Sequence, residues 1–311
     1  MNKIKLLSLA FIIFSFFLLV ASDEETPQNK FDVNLQYSQT SGFIPNIDLL
    51  WHYNDNYFSS LYANYYISAE KKSLEKYEIS KDAYFSKQFV LGSEILGFYL
   101  AKKPALFALS LGFEYKRIKD EEFGFFEMSE NLNVTFDETT LKNMLFPFMK
   151  FRIDKYSEHI NNRFLFVFYP TYCLLIEQNA LFKPLTERGH KSKSSKWQVP
   201  AIEIADEILF NFHKFGGILL DGSFSLWQAK YKSLVLEQTS DNKYQYGKAD
   251  VKQTVLEYSL SMSYIIPLEI VGMMRPRIGV GFSGSTEYRE NAGKKSTHKD
   301  IGYLFIFGFY Y

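Results

Sequence analysis

Apolar and polar residues alternate with a period of two along most of this chain, and the clearest run is the last. In Ile301–Tyr311 every second residue is aromatic: Tyr303, Phe305, Phe307, Phe309 and Tyr311. A period of two is that of a β-strand, whose successive side chains point to opposite faces. Two internal segments repeat the pattern. Phe107, Leu109, Leu111, Phe113 and Tyr115 share one face, with Ala108, Ser110, Gly112, Glu114 and Lys116 on the other. Leu256, Tyr258, Leu260, Met262 and Tyr264 likewise oppose Glu257, Ser259, Ser261 and Ser263. Rows this apolar are an aggregation hazard if bare to water. Facing lipid they are at home, and charges such as Glu114 and Glu257 must then point inward.

The alternation, cut by turn and charge clusters, predicts strands near 31–37, 47–54, 57–69, 74–86, 89–101, 107–116, 123–136, 142–153, 163–177, 199–213, 217–237, 256–264, 273–288 and 299–311. That is fourteen, with twelve as the fallback. An even number puts both termini at one end. Asn54-Asp55-Asn56, Lys102-Lys103-Pro104 and Lys214–Gly217 read as tight turns. The long connections are Gln178–Trp197, with its basic centre Lys191–Lys196, then Thr239–Asp250 and Arg289–Lys299. They fall at the end opposite most of the short turns. Pro147, Pro170, Pro200 and Pro276 lie inside predicted strands, where each removes a ladder hydrogen bond and marks a bulge or a strand end. Asp206 sits on an otherwise apolar row with Ile202, Ile204, Ile208 and Phe210.

The chain begins with a short basic stretch, Met1–Lys5, an apolar run Leu6–Val20, and small residues at Val20-Ala21-Ser22. This is the layout of a cleaved export signal over 1–22, leaving 23–311 as one domain; the alternative is an uncleaved anchor. No later run is long and apolar enough for a helical span. In a bilayer every backbone polar group must be paired internally, so strands that cross it must close into a barrel. The expected fold is therefore all-β: a single transmembrane antiparallel up-and-down β-barrel. Aromatics make up 18% of the chain, and formal net charge is zero. Without a basic excess there is no footprint for nucleic acid.

With its aromatic alternation and aromatic end, the 303–311 stretch resembles the C-terminal assembly signal of bacterial outer-membrane β-barrel proteins. The ends and composition together are similar to small porins of spirochaetes. This resemblance implies location in the outer membrane, with the lipid bilayer and the barrel-assembly machinery as partners. It also implies passive diffusion of small hydrophilic solutes or ions through the lumen. The alternative is a non-conducting surface barrel, an adhesin or structural protein. That family usually ends in Phe or Trp, whereas this chain ends in Tyr311.

Candidate chemistry changes this picture little. Gly279-Val-Gly281-Phe-Ser-Gly284 spells a dinucleotide fingerprint, but it lies in an alternating strand and lacks the required helix. His52, His159, His190, His213 and His298 show no metal spacing. A His213–Glu207 acid–base pair is conceivable, yet no known barrel-enzyme motif is present. No metal, cofactor or enzymatic activity is expected. Cys173 is the lone cysteine, so no internal disulfide forms. Arg275 and Arg277 share the inward face with Gly279, Gly281 and Ser283, and form either an anion-attracting ladder or salt bridges. The carboxylates available to them are Asp221, Glu257, Glu203 and Glu207. With Glu114 and Lys116 these make up the expected lumen lining.

Overall fold

The computed structural model describes residues 30–38, 42–54, 56–72, 82–101, 105–129, 132–183, 185, 189–238, 244–268, 275–291 and 294–310. The export signal and Tyr311 lie outside them, as do Asp55, the 102–104 turn and the 74–81 part of the fourth predicted strand.

The strand segments are β1 Lys30–Ser38, β2 Gly42–His52, β3 Tyr57–Lys72, β4 Asp82–Ala101, β5 Leu106–Ser129, β6 Leu132–Lys155 and β7 Ile160–Tyr169. They continue with β8 Cys173–Lys183, β9 His190–Trp197, β10 Ala201–Asn211, β11 Gly217–Gln238, β12 Tyr244–Ile265, β13 Arg275–Asn291 and β14 Lys294–Tyr310. All fourteen belong to one sheet, and neighbours pair antiparallel, for example β1 with β14 and β5 with β6. The β5–β6 ladder joins the first strand of that order back to β6, so the sheet closes into a ring from which β8 and β9 continue upward, β9 ending as an edge. The two chain-end strands lie side by side, with Asp32 opposite Tyr310.

The number of staves in the wall is smaller than the number of segments. β6 pairs with β7 through Met149↔Phe168 and with β8 through Leu145↔Cys173. β7 and β8 are thus two halves of one stave, with one extra residue where they meet. β8 pairs with β9 through Cys173↔Trp197, and β7 with β10 through Ala201↔Tyr169. Both pairs sum to the same register, so β9 and β10 are also one stave. The ring has twelve staves. Pro147, Pro170 and Pro200 lie on one rung across three of them, and each withdraws an N–H from the ladder there. Two staves break at that rung: Gln198 N–H and Thr171 Oγ1 bond to carbonyls of the opposite break residue, Tyr172 and Gln198 respectively, at 2.8 Å each.

Several predicted boundaries are corrected. The basic Lys191–Lys196 centre is strand β9, paired to β8, rather than a loop. Strands β5 and β6 run through the expected 117–122 and 137–141 breaks and turn only near Ser129. The 89–101 segment is the lower part of a single β4. Hairpin pairing also shortens the expected outer loops, reaching Gln238↔Tyr244 and Asn291↔Lys294. Long connections become long strands because alternation persists in them under heavy charge.

The outer wall carries an apolar belt. Outward rows run over 107–115 in β5, 218–226 in β11, 256–264 in β12 and 301–309 in β14. Tyr303, Phe305, Phe307 and Phe309 are 62%, 44%, 52% and 41% exposed, so they face the surroundings rather than a core. Nine residues tilted as a closed barrel requires are what a strand needs to cross a bilayer. Short turns close the lower rim: Asn54 Oδ1 accepts the N–H groups of Asn56 and Tyr57, and Gly216 takes φ 83° after a 3-10 turn over His213–Phe215. Val280 lies at mid-belt, between Met262 and Phe305. Val280→Arg is expected to lower unfolding free energy in lipid by about 2–4 kcal/mol, with Val280→Leu near neutral. Urea titration of protein refolded into vesicles checks this.

Candidate functional site

The inner wall carries three groups of side chains. A charged network near the lower rim lines the base of a polar chamber, and an apolar cluster flanks the chamber and extends above it.

The network centres on β6, where Lys150, Arg152 and Asp154 alternate with the outward Phe151 and Ile153. Lys150 Nζ donates to Glu94 Oε1 at 2.6 Å, with both side chains buried. Asp154, fully buried, accepts from Arg163 Nε at 2.9 Å; Arg152 Nε lies 3.0 Å from its other oxygen as an ion contact. Arg152 also stacks its guanidinium 4.0 Å from the Phe58 ring centroid and reaches Tyr99, whose hydroxyl lies 2.7 Å from His52 Nε2. Charges buried this way are tolerated because each has a partner.

The chamber is a cavity of about 480 Å³. Glu114, Lys116, Glu203, Glu207 and Asp221, all predicted, line it together with Tyr62, Asn64 and Tyr169. Two carboxylates are held by tyrosines: Tyr62 O–H donates to Glu114 at 2.6 Å, and Tyr169 O–H to Glu203 at 2.9 Å. Tyr62 lies flat on the wall because its cross-strand neighbour is Gly92, where a methyl group would fall 2.0 Å from the ring.

Arg277 donates to Asp221 Oδ2 at 2.8 Å, and Ser261 donates to the same oxygen at 3.0 Å. Arg275 lies apart, in a rim pocket with Asn211, His213, Lys214 and Pro267. Of the two expected options, ladder or salt bridges, Arg277 takes the salt bridge, and Arg275 lies at the rim. Gly279 and Gly281 do face inward, against Ser263 and Ser261. His213 approaches Glu158 at 3.6 Å, not Glu207. Asp206 is buried on its outward row.

Glu257 reaches across the barrel. Lys116 Nζ lies 3.6 Å from Glu257 Oε1, joining β5 to β12. Those staves are five junctions apart on a ring of twelve, nearly opposite, so the lumen is pinched flat here. Beside and above the contact Phe146, Tyr172, Leu174, Ile176, Tyr231 and Val251 belong to a buried apolar cluster, with Ile118 and Trp227 against it. Phe146 and Tyr172 stack at 4.5 Å. From the proline rung upward β8 leans onto β11. Tyr172 donates to the Gln228 carbonyl, and Gln178 accepts the Leu234 N–H at 3.1 Å.

No family model matches the chain, and no curated protein matches it. Among solved structures it is similar to the β domain of the Bordetella autotransporter BrkA, at 9% identity and TM-score 0.37, covering 92% of this chain and 99% of that one. It is also similar to the outer membrane protease OmpT from Escherichia coli (8%, TM-score 0.35, 94% and 98% covered) and to the CymD monoaromatic hydrocarbon channel (7%, TM-score 0.34, 93% and 88% covered). Closed antiparallel staves and a bilayer-high apolar belt define the fold class on their own: an outer-membrane type β-barrel.

Sequence reasoning missed Glu94, Lys150, Arg152, Asp154, Arg163 and the two tyrosines. The signal was present in 150–154, where every inward position is charged and every outward one is apolar. Glu94→Gln is expected to destabilise the barrel by about 3–5 kcal/mol, because it strands the buried Lys150 charge. Glu94→Leu with Lys150→Met should cost markedly less than that single change. Denaturant midpoints of the three proteins check this.

Proposed function

We propose that the protein is an outer-membrane channel for small hydrophilic cations, shut at rest by an apolar gate. The observation that carries this reading is a juxtaposition. A chamber whose lining carries more carboxylates than bases adjoins a dry cluster that reaches from β6 and β8 to β11 and β12. Apolar packing of the whole lumen would be at least as stable as buried ion pairs, so a retained polar chamber favours a hydrophilic passage. Hydrophobic constrictions close pores by excluding water. Preference for cations follows from charge balance. Lys150, Arg277 and Arg163 each have an acid, whereas Glu114 and Glu203 are held only by tyrosine hydroxyls among the described residues. The lower rim, with the paired ends of β1 and β14, faces the periplasm.

A second reading, a closed barrel that works only through its outer surface, is favoured by the bonds tying Tyr172 and Gln178 to β11. Planar-bilayer recording separates the two. The wild-type barrel is expected to open rarely, and Lys116→Ala with Trp227→Ala to raise open probability about tenfold, the equivalent of ~1.4 kcal/mol of lost closed-state contact. Glu114→Gln with Glu203→Gln should move the cation-to-anion permeability ratio toward one. A steadily open wild-type channel would sink the gate. Folded gate variants that pass no current would leave the surface reading in its place.

A further inference from the structure

Each of the four best-defined outward apolar rows ends in a base at its upper end. Above Tyr115 the next outward residue of β5 is Arg117; above Ile301 in β14 it is Lys299. Two outward positions above Leu226 in β11 and Leu256 in β12 stand Lys230 and Lys252. All four bases are exposed, and none has an ion-pair partner among the described residues. Lys230 and Lys252 sit directly opposite each other across the β11–β12 ladder, an arrangement of like charges that repels. Glu290 lies opposite Lys252 on β13, yet the two form no ion pair. On the same flank Trp197 is 63% exposed where β9 meets the belt, as aromatic residues do at a membrane–water boundary. The lower ends of these rows carry no such bases: they finish on Phe107, Ile218, Tyr264 and Phe309.

We infer that Arg117, Lys230, Lys252 and Lys299 form a collar that binds the phosphate groups of anionic lipid in the outer leaflet. This rests on the barrel crossing a membrane at its apolar belt. An external anion placed between Lys230 and Lys252 removes their repulsion, and among the described residues no carboxylate forms an ion pair with either. The height fits the ligand: headgroup phosphates lie just outside the hydrocarbon, and the four bases lie just outside the apolar rows. Guanidinium and ammonium groups are the usual protein partners of phosphate oxygens. Binding of this kind holds boundary lipid by charge and leaves the rest of the lipid-facing wall unselective.

The test is electron spin resonance of spin-labelled lipids around the mature barrel refolded into phosphatidylcholine vesicles. Wild type is expected to immobilise labelled phosphatidylglycerol about three- to tenfold more strongly than labelled phosphatidylcholine. That ratio should collapse in 1 M salt, where the screening length falls to about 3 Å. Lys230→Gln with Lys252→Gln should bring the ratio close to one while leaving the total immobilised lipid unchanged. Lys248→Gln, four residues further up β12, should leave the ratio intact. An inserted barrel with immobilised lipid but no headgroup preference, or a preference that survives the double change, overturns the collar. A protein that immobilises no lipid of either kind overturns the membrane reading beneath it.

Discussion

The structure depends on one constraint: inside hydrocarbon no backbone N–H or C=O can be left without a partner. Within the apolar belt every junction of the twelve-stave ring is a hydrogen-bonded ladder, and β5–β6 closes it. The constraint lapses where the belt ends. The β10–β11 ladder stops at Ile202↔Leu226, which is the last apolar outward row of β11. Above that point β11 has no ladder on this side. Side chains replace it: Gln198 bonds both the N–H and the carbonyl of Lys230, Tyr172 takes the Gln228 carbonyl, and Gln178 takes the Leu234 N–H. The wall is therefore covalently continuous and laddered where lipid surrounds it, and stitched by side chains only where water can substitute.

That change of regime also accounts for the plug. Freed from β11's ladder, the β8–β9 hairpin can tilt, and the proline rung gives it a place to do so. Pro170 and Pro200 face each other and Pro147 lies beside them, so the stave halves above and below are joined by few ladder bonds. The hairpin's inward face, Leu174, Ile176, Gln178 and Ala180, then meets the inner face of β11 instead of open lumen. Burying those side chains is favourable at roughly 25 cal/mol per Å² of apolar surface removed from water. The same inward tilt leaves β9 as an edge, and its lysines suit that position because charged edges resist pairing with other chains.

Much of the fold was legible in the sequence, because lipid enforces a strict period of two. The faces of β5, β12 and β14 came out as read from alternation alone, with Glu114 and Glu257 inward. Segment boundaries were less legible. Strands β5 and β6 rise beyond the belt into water, where charged residues such as Lys119 and Asp120 pair as readily in a ladder as in a loop. A sequence reading that takes charge clusters for turns breaks such strands. The basic 191–196 stretch misled in the same way, being a strand whose outward positions are charged. The count of fourteen was reached with different pieces: alternation split β4, β5 and β6 further, while β7 and β8 were drawn as one strand across Pro170 and β9 was read as a loop. In the lumen, Asp221 beside Arg277 was legible as an option, since both fell on inward faces. Which option held depended on register between β11, β12 and β13, and no single sequence carries that.

The flattening of the lumen follows from neither alternation nor register alone. Twelve staves at an ordinary tilt enclose more width than side chains from adjacent strands can fill. A contact of 3.6 Å between Lys116 and Glu257, from nearly opposite staves, therefore requires the ring to be oval. Small residues on the inner faces of β12 and β13 permit this on one side: Ser259, Ser261 and Ser263 face Ser283, Gly281 and Gly279. Large rings press in from the other, where Phe58, Tyr62 and Phe148 lie over Gly97, Gly92 and Gly112. The chamber lies between the two, with Tyr62 on one side and Ser223 and Ser259 on the other. The proposed closure would rest on a few rings and one ion contact of 3.6 Å, which modest forces can undo. The buried ion pairs that line the chamber, Lys150 with Glu94 and Arg163 with Asp154, are the part that stays.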